Sequence, residues 1–91
     1  MSKVDRTLRC RALEKCGLET QFGMAIEECS EFMVALQHYK RGRCTKLDVA
    51  TEIADVENMM QQMRIYFGDD LVDAEHLKKK ARLEERLDHD D

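Results

Sequence analysis

No proline interrupts the 91 residues, and only four glycines do. Three of these, Gly17, Gly42 and Gly68, fall where runs of helical periodicity stop, so they cut the chain into four segments. Apolar positions are filled mainly by Leu, Met, Val, Ile and Ala, and aromatic residues make up 5%. That pattern predicts an all-α chain. The first helix is expected from about Val4 to Lys15 and the second from about Gln21 to Lys40, with Thr20 as its N-cap. Thr45-Lys46-Leu47-Asp48 reads as a capping box with Asp in place of the usual Glu or Gln, and starts a third helix ending near Phe67. The fourth is expected from about Leu71 to Leu87, with a frayed tail over Asp88-His89-Asp90-Asp91. Gly23 and Ser30 lie on roughly one side of the second helix, where two small residues could admit another helix.

A chain of this length forms one domain, residues 1–91. At this size folding buries only about 60–65% of the surface, so the core is modest and association with further copies is expected. The formal charge is −4 with both signs mixed, which argues against a basic nucleic-acid-binding face. No apolar run reaches the length of a membrane span. Met1-Ser2-Lys3-Val4-Asp5-Arg6 lacks the hydrophobic centre of a signal peptide, so a cytoplasmic protein is expected. Cys10, Cys16, Cys29 and Cys44 show no Cys-x-x-Cys pairing and no histidine at zinc-motif spacing, which reads as free thiols.

The chemistry is concentrated between Met24 and Asp55. Glu28-Cys29-Ser30-Glu31 on the second helix is followed by Glu52-Ile53-Ala54-Asp55 on the third. Acids three apart share a helix face. With 37% of residues charged, such spacings also arise by chance on solvated faces, so placement matters more than spacing. At about 100° per residue, Met24, Ala25, Phe32, Ala35, Leu36 and Tyr39 all fall within about 80° of Glu28. Val49, Val56, Met59, Met60, Met63, Tyr66 and Phe67 fall within about 80° of Glu52. Each motif therefore sets its first acid inside an apolar arc, with Glu31 and Asp55 beside it. Carboxylates facing a core, and facing each other, are costly unless something neutralises them. A hard divalent cation does so with carboxylate oxygens and keeps its remaining positions for water and phosphates. Pivoting a hairpin on Arg43 brings Glu31 level with Asp55 and Glu28 level with Asn58, with Glu52 one turn away.

These residues resemble the MazG-like all-α nucleoside triphosphate pyrophosphohydrolases, a group that includes dimeric dUTPases and dCTP pyrophosphatases. The family signature is Glu-x-x-Glu, a spacer, then Glu-x-x-Asp on the next helix, matched here by Glu28, Glu31, Glu52 and Asp55. The doubled acid Glu27-Glu28 and the apolar run through Leu36 fit as well, and the likeness covers about half the chain. It implies a four-helix bundle-like protomer of the MazG type, assembling as a homodimer or homotetramer. It also implies Mg2+ held by the four acids and hydrolysis of a nucleoside triphosphate to monophosphate and pyrophosphate. One glutamate would deprotonate the attacking water, with Glu28 and Glu31 as the candidates.

Lys78, Lys79 and Arg82 on the fourth helix could bind the outer phosphates, or form a solvated basic face that balances the acidic chain. Asn58 could take a polar role near the metal. Tyr39, Tyr66 and Phe32 could stack on a base, although such residues are more often core. Glu27 lies about 100° from Glu28 and off the arc, as a surface residue or, by the resemblance, one that could orient a water; His38 reads as part of a solvated face, and His76 has no partner in the pattern. Two other readings are open. A non-catalytic helical interaction module would use methionine-rich faces for adaptable contacts. A di-iron bundle would need Glu-x-x-His on two helices, which this chain does not have.

Overall fold

The computed structural model describes residues 2–89 and contains four helices and, among those residues, no strand. Helix α1 spans Lys3–Cys16, α2 Leu18–Lys40, α3 Lys46–Phe67 and α4 Asp69–His89. Each start has a local cause. Ser2 caps α1 by accepting from the Asp5 amide at 3.0 Å. Thr45 and Asp48 form the expected reciprocal capping box on α3, with Thr45 N donating to Asp48 Oδ2 at 2.8 Å and Asp48 N donating to Thr45 Oγ1 at 3.2 Å.

The α1–α2 corner differs from expectation. Gly17 alone turns the chain at φ +82°, its N–H donating to the Leu13 carbonyl and its carbonyl accepting from Gln21. A residue without Cβ can close α1 and open α2 at once, so α2 begins at Leu18 and Thr20 lies inside the helix, not at its cap. Helix α4 likewise starts two residues earlier than Leu71, directly after Gly68. It stays helical through His89 instead of fraying from Asp88; Asp90 and Asp91 lie outside the described residues.

The α2–α3 hairpin is the centre of the molecule. Arg43 N donates to the His38 carbonyl at 2.9 Å and Gly42 N to the Tyr39 carbonyl at 3.0 Å, which fixes the turn. Ala25 and Met59 are the buried apolar residues, and Gln21 and Gln62 are buried with them. Gln62 Nε2 donates to Gln21 Oε1 at 3.3 Å across the hairpin. Near the open end of the hairpin, Phe22, Tyr66 and Phe67 form an aromatic trio with centroids 4.9 to 5.8 Å apart. Helix α1 packs on both hairpin helices. Among the described residues, the α4 backbone approaches α3 alone, so one chain does not close a four-helix bundle. Among the described residues, an added Cβ at Gly23 would meet no atom of another element within 4 Å. No helix among the described residues is long and apolar enough to cross a membrane.

Candidate metal centre

The hairpin gathers the first acids of both motifs. Glu28 and Glu31 stand one turn apart on α2, and Glu52 reaches them from α3. One carboxylate oxygen from each of the three lies within 4.8 Å of the others. Glu28 and Glu52 are half-buried and Glu31 is exposed, which follows from their positions at the centre and at the edge of the apolar arc. Asp55 is half-buried next to the trio but outside its tightest grouping.

The electrostatics are unfavourable for bare carboxylates. Glu28 Oε2 and Glu52 Oε2 are buried without a hydrogen-bond partner. Desolvation raises the pKa of Glu28, and the charges of Glu31, Asp55 and Glu52 raise it further. Glu52 is raised by desolvation first, then by Glu31 and Asp55. No basic residue pairs with any of the four acids among the described ion pairs. Orphaned, convergent carboxylate oxygens fit a hard cation: the donors are all oxygen, a set suited to magnesium, calcium or manganese ahead of softer metals.

Beside the acids lies a groove of about 510 Å³, lined by Val34, Ala35, His38, Cys44, Thr51 and both Glu31 and Glu52, among others. Its hydroxyl and thiol donors are turned to the helix backbone. Ser30 Oγ donates to the Ile26 carbonyl, Thr51 Oγ1 to the Leu47 carbonyl and Cys44 Sγ to the Ala35 carbonyl. His38, without an assigned partner in sequence, is exposed at this groove.

Other candidates fall elsewhere. The side chain of Asn58 is taken up by α1, with Arg9 Nη2 donating to its Oδ1 and Nη1 to its carbonyl, each at 3.1 Å. Arg9 has no distinguishing signal in the arginine-rich first helix, and only the packing of α1 on α3 reveals it. Lys78, Lys79 and Arg82 are exposed on α4 beyond its packing on α3, and Lys78 pairs with Glu75 at 3.1 Å. Tyr66 belongs to the aromatic trio, eleven residues past Asp55 and so roughly 16 Å along the helix. Tyr39 is exposed and Phe32 half-buried. All four cysteines are free.

The chain matches no family model, no curated protein and no solved structure.

Proposed function

We propose that the protein is a magnesium-dependent, MazG-like pyrophosphohydrolase that converts a nucleoside triphosphate and water into a nucleoside monophosphate and pyrophosphate. The observation that carries this reading is the convergence of Glu28, Glu31 and Glu52 within 4.8 Å, together with the buried, unpartnered oxygens of Glu28 and Glu52. Glu28, Glu31, Glu52 and Asp55 would hold the cation. When bound, Mg2+ supplies positive charge against the phosphate oxygens and makes water a better nucleophile.

The chain's own residues supply the rest. Glu31 is the exposed member of the trio and also lines the groove, which supports it as the residue that would take the proton of an attacking water. Glu28, whose carboxyl holds its proton more tightly than usual, is the second candidate. The groove is suited to a nucleoside, with Val34 and Ala35 as an apolar wall and the Ser30 and Thr51 oxygens turned to accept. Lys78, Lys79 and Arg82 are proposed to meet the outer phosphates, and Asn58 to hold α1 behind the site through Arg9. The working form is a homodimer or homotetramer acting on the cytoplasmic nucleotide pool.

Pyrophosphate release from a panel of nucleoside triphosphates, with and without magnesium, tests the proposal. Turnover of at least one nucleotide, dependent on divalent metal, is expected. Orthophosphate as the direct product, or no turnover across the panel, would overturn it. A second reading, a non-catalytic interaction module, draws on the exposed Met24, Met33 and Met60. It predicts no stabilisation by magnesium.

A further inference from the structure

The groove beside the acids has two ends. Glu31 and Glu52 line one, and it runs toward the α2–α3 turn, where His38, Cys44 and Asp48 line it. Glu31 and His38 are seven residues apart on α2, so they share a face of the helix and stand about 10 Å apart along its axis. The groove's volume of about 510 Å³ lies within the roughly 300–1,000 Å³ of small-molecule sites. With a phosphate held at the acids, the length of groove up to His38 is left for the nucleoside.

What the groove offers a nucleoside depends on where its own protons go. Ser30 Oγ, Thr51 Oγ1 and Cys44 Sγ carry one proton each, and they donate it to the carbonyls of Ile26, Leu47 and Ala35. Toward a ligand these three atoms can then only accept. Asp48 Oδ2 accepts from the Thr45 N–H and hydroxyl. Glu31 and Glu52 accept once they hold a cation, and Val34 and Ala35 have no polar side-chain atom. His38 is the lining side chain left to donate. Its ring is exposed at the groove and takes no part in the described side-chain hydrogen bonds or ion pairs. An imidazole carries an N–H in either protonation state. The backbone beneath it is fixed, since the His38 carbonyl accepts from Arg41 N at 3.1 Å and from Arg43 N at 2.9 Å.

Every nucleobase presents at least one acceptor, a carbonyl oxygen or an unprotonated ring nitrogen. We propose that His38 is the base-recognising residue of the groove. Its ring N–H donates to that acceptor, and the reach of this bond decides which bases are held. At about 10 Å from Glu31 along the helix it acts on binding and not on the reacting phosphate. The inference rests on the reading of the groove as a nucleotide site.

Two variants and one spectrum test it. His38→Leu removes the donor at similar size, and His38→Gln keeps one. The position is exposed, so both should fold. Affinities are measured with magnesium for the four 2′-deoxynucleoside 5′-monophosphates and for 2-deoxyribose 5-phosphate, which has no base. His38→Leu should bind the monophosphate that the wild type prefers about three- to tenfold more weakly, the effect of one lost hydrogen bond. Its preference among bases should flatten, and His38→Gln should recover most of the affinity. The sugar phosphate should bind all three proteins alike. In NMR spectra of the wild type, the His38 ring signals should shift with a monophosphate and not with the sugar phosphate. A wild type that binds no monophosphate, a His38→Leu variant of unchanged affinities, or ring signals that no monophosphate moves would overturn the proposal. None of these readouts is pyrophosphate release. Binding through His38 without turnover would overturn the reaction alone, and turnover with an indifferent His38 would overturn this inference alone.

Discussion

Glu28 of α2 and Glu52 of α3 meet across the hairpin with oxygens within 4.8 Å, and each keeps its Oε2 buried and without a hydrogen bond. Two like charges in that setting oppose folding, and a cation between them reverses the sign. Stability and proposed activity are therefore set against each other at the same two residues.

Replacing Glu28 by Leu removes one charge and extends the apolar arc. The metal-free variant should melt a few degrees higher than the wild type, because strain tied to function is relieved. Activity should fall by at least about a hundredfold with the loss of transition-state charge stabilisation. Magnesium at a hundred times its dissociation constant should raise the wild-type melting temperature by about 10–20 °C, and the variant should lose most of that gain. Paired thermal melts with and without magnesium measure this. A variant that keeps the full magnesium shift would remove Glu28 from the ligand set.

The pH dependence follows from the same pair. The folded pKa values of Glu28 and Glu52 lie above their ordinary value of 4.5, so the folded chain binds more protons through that range. Their favourable contribution is full below about pH 4.5 and is lost as pH rises through the folded values. Glu28→Gln carries no such titration at position 28. Its stability advantage over the metal-free wild type should be small near pH 4 and grow toward neutral pH. Asp48, held below its ordinary 3.8 by hydrogen bonds from Thr45, has the opposite sign, losing its contribution as pH falls, and cancels in the comparison. Melts of both proteins across that range check the slope, and an advantage that does not vary with pH would contradict it.

Gln21 and Gln62 give a prediction independent of metal. Gln62 donates to Gln21 at 3.3 Å, while its own Oε1 is buried and unpaired. Gln62→Leu alone strands the Gln21 oxygen and should cost about 1–3 kcal/mol. Replacing both by apolar residues of similar size should recover most of that loss or exceed it, since neither position then leaves a buried polar group unmatched. A double-mutant cycle by urea denaturation reads the coupling. Strictly additive losses would mean that the two side chains do not interact.

How much of this was legible in the sequence differs from element to element. The Thr45–Asp48 capping box was readable because its partners are three residues apart and its chemistry is local. Glu28 and Glu52 were readable as arc residues because helical periodicity assigns a face to each residue. Thr20 misled because a capping residue and a glycine corner compete within four positions, and Gly17 closes one helix and opens the next by itself. Arg9 and the Gln21–Gln62 pair were not legible, since their partners lie more than forty residues away in sequence.

By itself the sequence determined four helices, their glycine breaks and two acids set into apolar arcs, because caps, turns and the 3.6-residue period act over a few neighbouring residues. Tertiary structure alone decided that Glu28, Glu31 and Glu52 converge while Asp55 stays just outside, that Arg9 takes Asn58, and that α4 leaves the hairpin with its leucines uncovered. Those outcomes depend on how far apart and at what angle helices pack. That geometry is the sum of many side-chain contacts between distant segments, and no single stretch of the chain encodes it.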